Sequence, residues 1–102
     1  MPRTDRQETA ERDKLRRRAE AMPVQPEVLR LAIKRQIWIE EMTVVEFAPT
    51  IRMNPCWFRR RLMDGKHIHP ALLNKIIAGL EVSPREARRW HRMAAREAGW
   101  QV

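Results

Sequence analysis

The stretch that decides the fold spans residues 43–65 and reads TVVEFAPTIRMNPCWFRRRLMDG. Its first four residues form a capping box, because the Thr43 side chain can accept from the N–H of Glu46 while the glutamate bonds back to the Thr43 N–H. Asn54 followed by Pro55 marks a second helix start, since asparagine is a good N-cap and proline suits the first helical position. The stretch therefore predicts two short helices joined by a tight connection.

The second of these helices, about residues 55–63, has an apolar side and a basic side. Phe58 and Leu62 lie four residues apart and share one face, which predicts the side that packs on the core. At about 100° per residue, Arg59 and Arg60 point away from that face. A short helix of this kind suits the DNA major groove, where arginine pairs with the O6 and N7 atoms of guanine.

The three consecutive arginines of this helix cannot share one role, because they span more than half of its circumference. Arg60 points most directly away from the apolar face and Arg59 is next, so both are predicted base contacts. Arg61 lies nearer the core and is predicted to hold a phosphate. Trp57 stands at the helix edge, either as a packing residue or as a further base contact. The simpler alternative for the whole set is a solvated basic face.

Four further residues are predicted phosphate contacts, because they lie at helix starts or in the loop after the second helix: Thr43, Asn54, Lys66 and His67. Backbone N–H groups at helix starts attract phosphate, and cationic side chains beside a DNA groove do so as well. Asn54 has a competing use, since its side chain can cap its own helix.

The remaining helices follow from caps and apolar spacing. One helix is predicted from about Pro26 to Ile39, one from Pro70, and one from a second capping box at Ser83. Pro49 should end the helix before it early, because proline cannot donate a helix hydrogen bond. No stretch alternates apolar and polar residues for long enough to form a strand. The sequence therefore predicts an all-α, compact five-helix bundle with a central helix-turn-helix.

Residues 1–22 are mostly charged and have helix-forming composition without an apolar face. They are predicted to form a flexible charged arm, and residues 23–102 the folded domain. The alternative is a basic arm that orders along DNA with Arg16, Arg17 and Arg18 on phosphates.

The 102-residue chain has a formal net charge of +8, most of it from Thr43 onward. This charge favours a polyanionic partner, most often nucleic acid. The single cysteine, Cys56, excludes an internal disulfide and fits a reducing compartment. No apolar run approaches the roughly 20 residues that span a bilayer, and the N-terminus lacks the apolar core of a secretory signal. We therefore expect a cytoplasmic protein with no membrane contact.

The sequence offers little support for catalysis or metal binding. His67 and His69 have a spacing found in metal sites, but no third ligand is evident. There is no glycine-rich phosphate loop and no nucleophile elbow, and a lone cysteine on a helix is usually inert. We expect no cofactor, no metal and no enzymatic activity.

The last predicted helix carries arginines around an apolar stripe, so it either closes the core or also joins two copies of the chain. Small DNA-binding proteins commonly act as two-fold dimers, because their half-sites lie one helical turn apart. The predicted dimer contact consists of Trp90, Met93 and Trp100.

Several pieces of the sequence recur together in one family. They are Thr43 with Phe47-Ala48, Met53-Asn54 before Phe58 and Leu62, Gly65-Lys66, and Pro70 with LLNKIIAGLEVSPREA, which begins at Leu72. In these pieces the chain resembles, from Val28 to Ala98, the phage repressor/Cro-like or Xre-type helix-turn-helix family, which often has glycine where this chain has Arg52. The resemblance implies an all-α DNA-binding domain, usually dimeric, that represses transcription from an operator with two-fold symmetry.

The expected function is a sequence-specific double-stranded DNA-binding regulator, a homodimeric repressor of its own or a neighbouring promoter. The alternative is a protein-binding module, such as an antitoxin or a phage-encoded inhibitor, that uses the basic helical surface against an acidic partner. An antitoxin that also represses its own operon would satisfy both expectations.

Overall fold

The computed structural model describes residues 5–63 and 68–99, and all regular structure in these ranges is helical. The helices are α1 (Asp5–Glu20), α2 (Leu29–Ile39), α3 (Val44–Phe47), α4 (Pro55–Met63), α5 (Pro70–Leu80) and α6 (Pro84–Glu97). A 3-10 helix, Ala48–Ile51, follows α3 directly. The all-α prediction is confirmed. The described residues contain six α-helices and not the five predicted, because part of the expected arm also forms a helix.

The N-terminal segment departs most from the sequence prediction. Asp5–Glu20 form α1, which packs along α2, where a flexible arm was expected. The apolar part of this contact is small, since Ala19 is fully buried and Leu15 only half-buried. A cationic contact adds to it, because the Arg18 guanidinium lies 5.2 Å from the centroid of the Trp38 ring. A search for an apolar stripe misses a helix that docks through so few apolar groups.

The start of α2 is set by residues from the far end of the chain. α2 begins at Leu29, and not at Pro26 as predicted. The N–H of Leu29 donates to Glu97 Oε2 at 2.8 Å, which satisfies one of the free donors at the helix start. Pro26 is buried, and its carbonyl oxygen accepts from Arg89 Nη1 at 3.3 Å. α6 therefore fixes where α2 begins.

The core combines the predicted apolar stripes with two residues that precede α4. Its members include Leu29, Ala32, Ile33 and Ile37 of α2, Phe58 and Leu62 of α4, Leu73, Ile76 and Leu80 of α5, and Trp90, Met93 and Ala94 of α6. Phe47 and Ile51 also belong to it, and the Phe47 ring centroid lies 5.8 Å from that of Phe58. Because aromatic side chains bury large apolar areas, this pair holds α4 against α3.

Trp90 and Met93 belong to this core and do not form a surface between two copies. Only 1% of Trp90 and 5% of Met93 are exposed. The indole Nε1 of Trp90 donates to Glu86 Oε1 at 3.0 Å, so its polar atom is also satisfied within the chain. The predicted dimer contact is therefore wrong for both residues, because α6 turns its apolar stripe inward. Trp100 lies outside the described residues.

The second capping box is only half formed. Ser83 Oγ accepts from the N–H of Glu86 at 3.3 Å. The Glu86 carboxylate accepts from the side chains of Arg89 and Trp90, and the Arg89 bond is the main reason why its pKa is lowered. The glutamate is thus used within α6, where it satisfies the buried tryptophan.

Gly79 allows α5 to approach the 3-10 helix closely. A Cβ atom at this position would lie 2.7 Å from Ile51 Cγ2 and 3.1 Å from Phe47 Cζ, and both of those side chains are buried. We expect Gly79→Ala to lower the free energy of unfolding by up to about 2 kcal/mol, because overpacking costs about 1–3 kcal/mol and the helix preference of alanine offsets only ~1 kcal/mol.

Urea denaturation measures this change. Asn74→Ala, at an exposed position of the same helix, is the control and should change the free energy of unfolding by less than about 0.5 kcal/mol. A Gly79→Ala protein more stable than the unaltered chain would show that α5 and the 3-10 helix are not packed this tightly.

Candidate functional site

Both predicted caps of the α3–α4 segment are confirmed. Thr43 Oγ1 accepts from the N–H of Glu46 at 3.1 Å, and Glu46 Oε1 accepts from the N–H of Thr43 at 3.0 Å. At the start of α4, Asn54 Oδ1 accepts from the N–H of Trp57 at 3.1 Å. These bonds satisfy free N–H groups and fix the residue at which each helix begins.

The connection between α3 and α4 is short and sharply turned. α3 ends at Phe47, and the chain continues through Pro49 as a 3-10 helix, in agreement with the predicted early end. Arg52 then adopts a left-handed conformation, with φ 56° and ψ 43°. This conformation favours glycine, because it costs a residue with a Cβ about 1–2 kcal/mol. The turn is therefore maintained by its surroundings and not by the preference of Arg52.

α4 presents arginines on the side opposite its buried face. Phe58 and Leu62 are fully buried, whereas Arg59 and Arg60 are exposed, as the helical spacing predicts. Within the described ranges, neither arginine forms a salt bridge. Exposed guanidinium groups of this kind can bind a carboxylate, a phosphate or the edge of a guanine.

A shallow hollow of about 440 Å³ lies on this outer face of α4. It is lined by Val45 of α3 and by Cys56, Arg59, Arg60 and Met63 of α4. Val45 is 42% exposed and Met63 61% exposed. The face thus combines two cations with apolar groups, a composition that suits base edges with thymine methyl groups as well as protein side chains. We call these five residues the α4 face.

Trp57 and Arg61 lie together at one edge of α4. The guanidinium carbon of Arg61 lies 5.9 Å from the Trp57 ring centroid, within the range of a cation–π contact. Trp57 is 50% exposed and Arg61 is half-buried. Their position agrees with the predicted place of both residues on the flanks of the helix.

A groove separates α1 from α4 and adjoins the α4 face. This groove, of about 440 Å³, is lined among others by Arg18 of α1, Lys34 of α2, Thr43 and Arg59. It brings together Thr43, a predicted phosphate contact, and Arg59, a predicted base contact. Sequence reasoning missed the groove and Lys34, because the packing of α1 along α2 creates it.

Arg12 joins α1 to the cap of α3. Its Nη1 and Nη2 atoms lie 2.7 and 2.6 Å from the two carboxylate oxygens of Glu46, and Nη1 also donates to the Glu41 carbonyl oxygen at 2.8 Å. The Arg12 bond is the main cause that lowers the pKa of Glu46 to about 2, and the bonds to Thr43 act in the same direction. The glutamate that completes the cap therefore also anchors α1.

Acid should weaken this anchor. The folded pKa of Glu46, about 2, lies below its ordinary value of 4.5, so the stabilising contribution of the carboxylate is complete above about pH 4.5 and is lost as the pH falls toward 2. We expect Arg12→Gln to lower stability at about pH 6 and to reduce the further loss at about pH 3, because the main cause of the shift is absent.

Urea midpoints at the two pH values measure the difference between variants. Arg16→Gln is the control, since Arg16 is an exposed arginine of the same helix that contacts Glu20 and Glu41 and leaves the Glu46 pair intact. An Arg12→Gln protein that loses as much stability on acidification as the control would contradict the anchor.

Two of the predicted phosphate contacts lie outside the described ranges, and one of the histidines considered as a metal ligand caps a helix. Lys66 and His67 are not in the part of the chain that the structure describes. His69 caps α5, because its Nδ1 accepts from the N–H of Ala71 at 3.1 Å. Among the residues of 5–63 and 68–99, no three histidine, cysteine or acidic side chains come together as a metal site. None of the helices in those ranges has the length and apolar character needed to cross a membrane.

The described residues thus form an all-helical fold with a cationic face on a short, capped helix. Comparison of the chain with protein-family models, with curated proteins and with solved structures finds no match. The geometry and charge of α1, α3 and α4 are therefore the basis for inferring the function of the chain.

Proposed function

We propose that the chain is a sequence-specific double-stranded DNA-binding transcriptional regulator, in which α3 and α4 form a helix-turn-helix and α4 enters the major groove. The observation that carries this proposal is the two-sided α4, anchored by Phe58 and Leu62 and exposing Arg59 and Arg60 on the opposite side. The major groove admits one α-helix, and arginine bonds bidentately to guanine there. The net charge of +8 adds the sequence-independent attraction that keeps a protein on DNA.

The turn before α4 supports the same proposal. Arg52 has a left-handed backbone at the position where Xre-type domains, which the sequence resembles, often have glycine. The chain thus has, at Arg52, the backbone conformation that glycine favours. A helix-turn-helix consists of two helices joined by a turn of three or four residues, and residues 52–54 form such a turn between the 3-10 helix and α4.

In the proposed complex, Arg60 and Arg59 read base edges. Arg60 lies most nearly opposite the buried side of α4, and both residues line the α4 face. Trp57 is half exposed at the edge of the helix, where it either contacts a base or orients Arg61 through their cation–π contact.

Phosphate contacts in the proposed complex come from the helix starts and from the flank of α4. The Thr43 hydroxyl accepts its cap bond and keeps a proton to donate to a phosphate oxygen. Asn54 uses Oδ1 for its cap, which leaves the side-chain NH₂ group as a donor. Arg61 contributes a charge beside the helix, and Lys66 and His67 are the further candidates.

We also propose that the regulator is a homodimer that represses a promoter with two-fold symmetry. Two copies related in this way present their α4 helices to half-sites about one helical turn, ~34 Å, apart. The surface between the copies does not include Trp90 or Met93, because both are buried in the core.

Selection from a random duplex pool tests the proposal. We expect enrichment of two half-sites that contain guanine, related by two-fold symmetry and centred about 10 base pairs apart. No enrichment by a protein that circular dichroism shows to be folded and helical would overturn it. Enrichment of a single, asymmetric half-site would retain sequence-specific binding and reject the dimer.

A second candidate function is binding to an acidic protein, as an antitoxin or a phage-encoded inhibitor would do. The composition of the α4 face favours it, because arginine and methionine are enriched in protein interfaces and Met63 is largely exposed there. Recovery of one stoichiometric protein partner, together with no duplex enrichment, would support this candidate over the first.

A further inference from the structure

We propose that the groove between α1 and α4 binds the phosphodiester backbone of double-stranded DNA and forms a second contact beside the α4 face. The inference rests on the proposed function and extends it, since it assigns a binding role to α1 and to Lys34. The contact recognises charge and backbone shape, and so it should strengthen binding to every duplex sequence.

The groove between α1 and α4 is continuous with a second hollow and with the α4 face. One hollow of about 470 Å³ lies between α1 and the start of α3, and a neighbouring hollow of about 440 Å³ lies between α1, α2 and α4. The two hollows share Leu15, Arg18 and Thr43. Arg59 lines the second hollow and also the α4 face. A DNA strand beside a helix docked through Arg59 and Arg60 would therefore meet α1.

Most of the charged side chains that line the groove are cationic. Its lining contains five cations, Arg12, Lys14, Arg18, Lys34 and Arg59, and two carboxylates, Glu11 and Glu46. Glu46 is neutralised by its bidentate bond to Arg12. No salt bridge within the described residues engages the other four cations. The groove therefore has an excess of positive charge, as a polyanion requires.

Two of the cations in the groove are held by their surroundings. The Arg18 guanidinium lies over the Trp38 ring. This contact already restricts the Arg18 side chain, so less conformational entropy is lost when DNA binds. Lys34 is half-buried, and this burial is the main cause that lowers the pKa of its ammonium group. The positive charge of Arg30 lowers the pKa further. A phosphate beside Lys34 would stabilise the charged form of its ammonium group, which in turn favours binding of an anionic ligand at this position.

The Arg12–Glu46 pair has a specific part in this arrangement. An unpaired carboxylate at the start of α3 would repel a phosphate in the groove. Arg12 removes that repulsion and at the same time fixes α1 beside α3. The same contact thus builds the groove and makes it electrostatically suitable for DNA.

Salt-dependent binding of the full chain tests the inference. The groove variant carries Lys14→Gln and Arg18→Gln, and the matched control carries Arg88→Gln and Arg92→Gln, which remove the same charge from exposed positions of α6. The probes are the selected duplex and a random-sequence duplex. We expect the groove variant to lose affinity for both duplexes by the same factor, about tenfold, and to lower the slope of log K against log salt by about 1–2, because each phosphate contact contributes about 0.9.

The outcomes separate the inference from the proposed function. The control variant should keep the slope of the unaltered chain, and a variant with Arg18→Lys alone should keep it as well, since the charge remains. Equal slopes for the groove and control variants, with sequence preference intact, would overturn the groove contact and leave the proposed function standing. Absence of any duplex binding by the unaltered chain would overturn both. A slope change on single-stranded RNA but none on duplex DNA would contradict the stated ligand.

Discussion

Replacing Arg60 with alanine is expected to reduce the discrimination between the selected duplex and a duplex with one guanine changed by about 5- to 150-fold. This range corresponds to the ~1–3 kcal/mol that one bidentate arginine–guanine pair contributes to discrimination. Arg60 is exposed opposite the buried side of α4, and no salt bridge in the described part of the chain restrains it. Fluorescence anisotropy titrations with the two duplexes measure the ratio of their dissociation constants.

Two control variants separate base reading from charge. Arg88→Ala removes the same charge from an exposed position of α6, and it should weaken both duplexes slightly without changing their ratio. Arg60→Lys keeps the charge but loses the planar fork, so it should retain affinity for the changed duplex and bind the selected duplex less tightly. If Arg60→Ala weakens both duplexes equally, as Arg88→Ala is expected to do, Arg60 does not read a base.

Phe58→Ala is expected to lower the free energy of unfolding by about 3–5 kcal/mol, as large aromatic truncations in a core do. Small domains have about 5–15 kcal/mol in total, so this one change should remove a large part of the stability. The reason lies in the position of Phe58, which is fully buried, lies 5.8 Å from the Phe47 ring and anchors α4. Urea denaturation followed by circular dichroism measures the loss.

Two variants, one at Phe58 itself and one at the adjacent Trp57, are the controls for Phe58→Ala. Phe58→Leu keeps most of the volume and should cost less than about 1.5 kcal/mol if the site repacks. Trp57→Ala removes a larger side chain, but one that is half exposed, so its effect on unfolding should be smaller than that of Phe58→Ala. A Phe58→Ala protein as stable as the Trp57→Ala protein would mean that α4 is not held through this residue.

The sequence predicted the α3–α4 segment well because its determinants are local. A cap joins a side chain to a backbone N–H a few residues away, as at Thr43 and Asn54. The early end of α3 follows from the missing N–H of Pro49 in the same way. The outward direction of Arg59 and Arg60 follows from the helical repeat once Phe58 is known to face inward.

The features that escaped prediction depend on contacts between distant residues. The Arg12–Glu46 pair and the bond from Leu29 to Glu97 join residues that no periodicity connects. The groove beside α4 could not be predicted either, because it exists only where α1 lies along α2. An apolar stripe is also ambiguous by itself, since the stripe of α6 would look the same whether Trp90 faced a core or a second copy.

The central claim is that α4 reads DNA sequence, and one comparison tests it most directly. It is the ratio of the dissociation constants of the unaltered chain for a random duplex and for the selected duplex, measured in about 150 mM salt. We predict that the selected duplex binds at least about a thousandfold more tightly, the lower end of the range for specific DNA-binding proteins. Equal affinities for the two duplexes would contradict the claim.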